Sequence, residues 1–380
     1  MTAEVRTGSV AAPARARLSF LDGVRALAAL YVVLHHIWFT VYPTYPVNSG
    51  PVFLGWLLYG HLAVAVFIVV SGFSLTVAPA RRGYRLGGVA RFLRRRAWRI
   101  LPPYWAALGL SVLVFGLITP ELTGRAITLK GVLAHFFLVQ DVVDSPKPNG
   151  AFWSIAIEWQ IYFLFPLVLL LRRRIGPLWM VVVSTAAVVA AQLVGENVGP
   201  LDGVLNLTPQ FLALFVFGVA AAMVLEEGRT APRWLGAAGV ACFAVFVVLA
   251  VVFGSVWVDR GYFWIDLLVG VGTAAVLAVL AGGGFAPLRA FLASWALSRV
   301  GLFSYSVYLV HLPLLWLVDH FLVSVLVADP LARFGLLLVF GTAAVLGGSY
   351  LFHRVFERPF MENRSLAEVT AAIRGGRATT

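Results

Sequence analysis

The chain has 380 residues, of which 61% are hydrophobic and 12% charged, with a formal net charge of +12 and a mean hydropathy of +0.90. A soluble globular domain carries about a quarter charged residues, so this composition excludes one and points to an all-α, polytopic membrane bundle, because lipid leaves no partner for an unpaired backbone group. The long continuous apolar runs exclude a transmembrane barrel, and the lone cysteine, Cys242, excludes a disulfide framework and a thiolate metal cluster.

The N-terminal stretch "MTAEVRTGSVAAPARARLSF" is polar and lacks an apolar core followed by a small-residue cleavage site. It is expected to be a cytoplasmic tail over 1–17, not a signal peptide. Runs near the ~20 residues that span a bilayer fall at 19–41, 52–78, 98–118, 150–171, 177–195, 206–226, 234–254, 262–281, 303–326 and 331–353. That predicts about ten helices in one membrane domain over 18–360, with a short polar tail over 361–380. The run "ITLKGVLAHFFLVQD" is too short to cross and is expected at the interface or re-entrant. The longest outside loop, 119–149, carries the turn "DSPKPNG".

With the N-terminus inside, 23 of the 29 Lys and Arg residues fall in inside segments, five in outside ones, and Arg25 within a span. Such a bias predicts both termini on the cytoplasmic side, since basic loops stay inside. The same bias explains the positive charge without nucleic acid.

Five stretches carry polar chemistry inside these runs. In "LDGVRALAALYVVLHH", Arg25 and His36 are eleven positions apart, close to three helical turns. They therefore share a face, separated by ~16 Å along the axis. Ionisable groups in a span mark function by default. A long ligand with an anionic and a reactive end could bridge them. The alternative is local: Arg25 pairs with Asp22 at i, i+3, and His36 satisfies a backbone group. In "FIVVSGFSL", Ser71 and Gly72 either allow close helix packing or mark the path of a narrow ligand. In "RRGYRLGGVARFLRRRAWRILPPYW", eight arginines precede the third span, with Arg94, Arg95, Arg96 and Arg99 nearest the membrane. They suit anionic lipid headgroups or a ligand phosphate, which guanidinium forks pair well. Pro102 and Pro103 are expected in the first turn of the third helix.

In "AFWSIAIEWQIYFLFPLVLLL", Glu158 must be paired, protonated or wet. It is either a partner for a basic side chain or a catalytic group. Trp153 and Trp159 are candidate interfacial anchors. In "LFSYSVYLVHLPLLW", Tyr305 and Tyr308 precede His311, and the three-residue spacing puts Tyr308 and His311 on one face. A buried structural histidine is the alternative reading of His311.

In this order, the five stretches resemble the acyltransferase 3 family of membrane O-acyltransferases. Its "DGxRxxA…H" helix matches Asp22, Gly23, Arg25 and His36, and its "SGF" matches 71–73. Its "RRxxRxxPxY" matches 95–104. Its "WSxxxExxxY" matches Trp153, Ser154, Glu158 and Tyr162, and its "SYxxYLxH" matches Ser304, Tyr305, Tyr308, Leu309 and His311. The resemblance spans about 18–360. His35 stands beside His36, and spacing favours the latter. No hydrolase-like domain follows the last helix, unlike some longer members.

The resemblance implies transfer of an acyl group, often acetyl, from an acyl-CoA (acetyl-CoA) donor to a hydroxyl, with no tightly bound cofactor and no metal. His36 is then the general base, with Arg25 and Glu158 at the reaction site. Arg94, Arg95, Arg96 and Arg99 hold the donor's phosphates. Ser71 or Tyr305 donates to the oxyanion, and His35, His311 and Trp153 are further candidates. The expected acceptors are a cell-surface glycan or a secondary metabolite such as a macrolide. The Ala-, Val- and Arg-rich composition suggests the plasma (inner) membrane of a high-GC bacterium. A transporter or flippase is the competing class, although neither internal duplication nor paired broken helices are visible. A non-catalytic receptor would not need the Arg25–His36 geometry.

Overall fold

The computed structural model describes residues 18–118, 127–143, 145–226 and 231–374. The expected N-terminal tail and the start of the 119–149 loop lie outside these. The described chain is a bundle of helices without strands. Its principal members are α1 (Phe20–Val41), α2 (His61–Ala80), α3 (Val89–Val112), α4 (Leu129–Phe136), α5 (Trp153–Asn197), α6 (Gln210–Ala221), α7 (Arg233–Arg260), α8 (Tyr262–Ala281), α9 (Ser304–Val318) and α10 (Thr342–Phe352).

Nine helical segments among the described residues are long and apolar enough to cross a membrane. Ten were expected, and the difference lies in α5. At 45 residues it would be ~68 Å long if straight, about twice the ~30 Å hydrocarbon core. It is not straight. Gly176 leaves the helical region at φ 81°, ψ 175°, with Pro177 after it, so the expected fourth and fifth spans meet there without a loop. Positive φ comes cheaply only to glycine. A second such break, Gly254 at φ 78°, lies in α7.

Two other boundaries move. The third helix starts at Val89, not near 98, so Arg91, Arg94, Arg95, Arg96 and Arg99 are helical. Arginine is a good helix former, and it extends the element beyond its apolar part. Pro102 and Pro103 therefore sit inside α3 and not in its first turn, where they leave preceding carbonyls without their helical donors. The sixth run, expected over 206–226, is preceded by a 3₁₀ segment, Gly199–Leu207, and forms α6 followed by a second 3₁₀ segment, Ala222–Leu225. The short run after the third span forms the eight-residue α4, too short to cross. Part of the C-terminal tail is helical, at Leu366–Arg374.

The core is a close-packed centre of α2, α6 and α8, with α1 and α9 against it and α7 at the rim, where its buried residues are Gly236, Gly239 and Val258. The α2–α6 contact is intimate because two glycines face each other's backbone. A Cβ on Gly72 would stand 2.0 Å from the Phe215 carbonyl oxygen, and one on Gly218 would stand 2.0 Å from that of Val69. Small residues drive helix association in lipid by this close approach. Gly72 is thus a packing residue, while its neighbour Ser71, ~100° further round the helix, lines a cavity. Gly72→Val should cost roughly 1–3 kcal/mol through overpacking. The expected result is a lowered melting temperature and a smaller monodisperse fraction in detergent, with Ser71→Ala close to the parent on both measures.

Candidate active site

A cavity of about 400 Å³ opens among α1, α2, α3, α5 and α9, within the ~300–1,000 Å³ usual for small-ligand sites. On α2 it is lined by Val64, Phe67, Ile68, Ser71, Ser74 and Leu75, the i, i+3, i+4 stripe of one helical face. From Val64 to Leu75 this wall is ~16 Å deep. The outer end is charged, with Asp22 and Arg25 from α1, Arg96 and Arg99 from α3, and Glu357. Phe67 and Tyr308, packed edge to face at 6.1 Å, close the inner end.

Arg25 satisfies both readings of its sequence position. One guanidinium nitrogen meets Asp22 Oδ1 at 2.9 Å, and the other donates to Ser74 Oγ at 2.7 Å. The group is therefore both paired and fixed at the cavity wall. Arg96 and Arg99, at i and i+3 on one face, line the cavity, whereas Arg94 and Arg95 do not and are exposed. Arg96 Nε is buried without a partner among the described residues.

Glu158 and Ser71 also line the wall. Tyr162 donates to Glu158 Oε1 at 2.6 Å, and its hydroxyl lies 3.5 Å from Ser71 Oγ. Tyr305 lines it too, but its hydroxyl donates to the Ile100 carbonyl at 3.1 Å. That bond ties α9 to α3 and occupies the hydrogen that an oxyanion would need. Trp153 does not line the cavity; it is partly buried and packs against Phe211 at 5.4 Å.

The histidines lie beyond the inner end. His311 follows Tyr308 by three residues, with ring centroids 5.8 Å apart, and its Nε2 is 3.2 Å from His36 Nδ1. The contacts define the protons of the neutral pair. His311 Nδ1 faces the Tyr308 carbonyl at 2.7 Å, which only accepts, so Nδ1 carries the hydrogen and Nε2 is a bare acceptor. His36 Nδ1 faces that nitrogen and the Val32 carbonyl at 2.9 Å, so it too carries its hydrogen. The lone pair of His36 is left on Nε2. This atom has no partner among the described residues and is not enclosed by them. His311 is fully buried, whereas His36 is half-buried. His35 turns away, with Nδ1 against the Leu57 carbonyl at 2.7 Å.

Two polar lining groups, Ser74 and Glu357, escaped the sequence reading. Ser74 had a visible signal, since it repeats Ser71 at i+3 on the face that carries it. Glu357 lies 1% exposed and accepts from Ser306 at 2.6 Å and His353 at 2.8 Å through the same oxygen. A carboxylate just past the last apolar run, 331–353, was its signal. Ser154 and Tyr308 bond each other, and Tyr308 also donates to the Ala151 carbonyl at 2.7 Å.

Compared with known proteins, residues 18–354 match the acyltransferase 3 family model, described as an acyltransferase domain. The chain is 30% identical over 319 residues to the acyltransferase MdmB of Streptomyces mycarofaciens, covering 79% of each protein. It is 30% identical over 335 residues to the exopolysaccharide production protein ExoZ of Rhizobium meliloti, covering 83% of this chain and 94% of that one. It is 26% identical to the O-acetyltransferase OatA of Staphylococcus aureus, covering 80% of this chain and 51% of that one. No solved structure matches.

The hydrogen-bond pattern predicts one dominant tautomer for His36. In protein labelled with ¹⁵N-histidine, His36 should give the paired signals of a protonated Nδ1 and a bare Nε2 at neutral pH. His311→Leu removes the acceptor facing Nδ1 and should broaden or mix these signals. An unchanged spectrum would assign the tautomer to Val32 alone.

Proposed function

This chain belongs to the acyltransferase 3 family of membrane acyltransferases, and we propose that it moves an acyl group, acetyl in the simplest case, from cytoplasmic acyl-CoA to a hydroxyl of a glycan or small secondary metabolite. The observation that carries this reading is a cavity mouth that presents Arg96 and Arg99, with an accessible, unprotonated imidazole nitrogen one aromatic layer past its inner end.

In this reading the donor's phosphates meet Arg96 and Arg99 at the mouth. Guanidinium forks bind phosphate oxygens well. The pantetheine arm runs past Arg25 along the Ser71 and Ser74 stripe, bringing the thioester to the inner end. There His36 Nε2 takes the proton from the acceptor hydroxyl as its oxygen attacks the thioester carbonyl. The carbon–sulfur bond then breaks, and the imidazolium returns the proton to the departing thiolate, giving the ester and free coenzyme A. His311 accepts from His36 Nδ1 and stabilises the charge that forms on the ring. Entry of a thioester past Phe67 and Tyr308 requires these rings to shift. The reading gives Arg94 and Arg95 no donor contact; their exposed position suits anionic lipid headgroups.

His36→Ala should lower acyl transfer by about 10²–10⁴-fold while expression and membrane insertion persist; near-normal turnover would remove the base. Arg25→Ala and Arg96→Ala should each weaken coenzyme A binding by roughly tenfold or more, the scale of one lost charged hydrogen bond. Arg95→Ala should stay within about twofold of the parent on the same scale. Thermal stabilisation by coenzyme A in detergent reads all three, and equal shifts in Arg95→Ala and Arg96→Ala would count against the phosphate assignment.

A further inference from the structure

A second polar cluster lies at the opposite end of α2 from the arginines. His61 opens that helix, and its Nε2 donates to Asp266 Oδ1 on α8 at 2.7 Å. Gln210 of α6 donates from Nε2 to Oδ2 at 3.1 Å. Asp266 and Gln210 are both fully buried. Two donors satisfy the carboxylate, as a buried charge requires.

Two atoms of the cluster remain unmatched. Gln210 Oε1 is buried and meets no donor among the described residues. His61 Nδ1 likewise meets no partner there but is not enclosed, and 22% of the side chain is accessible. Neutral or protonated, this nitrogen can bond a hydroxyl, which both donates and accepts. Tying α2, α6 and α8 together needs only the Asp266 bonds and leaves the open nitrogen unexplained. An ionisable pair inside a membrane bundle is costly enough to suggest use.

The cluster also adjoins the proposed reaction centre. Gly60 precedes His61, and a Cβ there would stand 2.2 Å from Cβ and Cγ of His35, so His35 packs directly on that turn. The His35 ring meets the His36 ring edge to face at 4.8 Å, and His36 meets His311. Four of the seven histidines thus form one row from the mid-bundle to this end. His35 Nε2 is a third unpartnered, unenclosed nitrogen in that row, after those of His36 and His61. Aromatic rings collar it: Tyr45 lies edge-on to His35 at 5.9 Å, Tyr262 edge-on to His61 at 6.2 Å, and Trp56, 52% exposed, stacks on Tyr31 at 5.6 Å.

We propose that His61, held by Asp266 and Gln210, is the binding site of the hydroxyl acceptor, and that this acceptor is a ring polyol of the glycoside class. Its hydroxyls bond the open nitrogens of His61 and His35, and the C–H face of its ring lies on the aromatic collar, whose flat apolar surfaces suit it. This rests on the acyl-transfer reading above. The acceptor approaches from the end opposite the arginines and meets the thioester at His36. His61 and Asp266 act as positioning residues, not as the base.

The test uses the full chain in lipid nanodiscs with methyl β-D-glucoside as the probe. Carbethoxylation of each histidine by diethyl pyrocarbonate is followed by mass spectrometry as the sugar is titrated in. The sugar should slow modification of His61 at least threefold, and coenzyme A alone should not. Transfer of labelled acetyl from acetyl-CoA to the same sugar gives the second readout. In Asp266→Asn and in His61→Gln, kcat/KM for the sugar should fall at least tenfold further than thiol release to water. A His61 modification rate untouched by the sugar overturns the proposal, as does a fall of both reactions in step in the two variants. Protection is read in the unmutated protein, so a variant that fails to fold leaves the test intact. His36→Ala separates the two readings: there His61 should stay protected while turnover is lost, and turnover that survives refutes the base alone.

Discussion

A guanidinium within a membrane helix must find polar partners or water, and Arg25 finds partners on two helices. Asp22 one turn below and Ser74 on the neighbouring helix take its hydrogens, and the side chain lines the cavity. The two bonds join α1 to α2 at the charged mouth. Where α1 and α2 meet decides where Ser71 and Ser74 stand. It also decides how far beyond them the His36 ring lies. A lysine could carry the charge here but not the two-armed bond, since its ammonium is a single point.

The same requirement governs the other polar groups inside the bundle. Tyr305 and Tyr308 bond backbone carbonyls across elements. Glu357 gathers Ser306 and His353, and Asp266 gathers His61 and Gln210. In lipid an unmatched polar group is costly, so the few that remain unmatched stand out. Among the described residues they include the Arg96 Nε beside the cavity and the open nitrogens of His35, His36 and His61. They lie on both sides of the Phe67–Tyr308 closure. In the proposed acyl transfer, this division would put an anionic donor on one side and a hydroxyl compound on the other.

Architecture was largely legible in the sequence because the bilayer leaves few options. Apolar runs near 20 residues had to be helices, and they are. The misplaced boundaries have local causes. The arginines hid the start of α3, since hydropathy ends where the helix does not. The joined fourth and fifth spans lacked a loop to mark them, and Gly176 supplied the turn through its own backbone. The motif residues that proved to line the cavity were those on the inward face of their helix. Arg96 and Arg99 share such a face, and Arg94 and Arg95 point elsewhere. A run of four arginines cannot be sorted this way until the partner helices are placed.

By itself, the sequence determined the class of the protein, its helical elements and its family, because hydropathy and local motifs are properties of neighbours along the chain. It also put Arg25 and His36 on one face three turns apart, since the helical repeat fixes that angle. The tertiary fold alone decided that His311 directs the proton on His36, that Tyr305 is spent on a backbone carbonyl, and that His61 lies beside His35 in reach of Asp266. Those facts join residues some 25 to 275 positions apart. Such contacts arise from how helices pack across one another, which no periodicity within a single helix encodes.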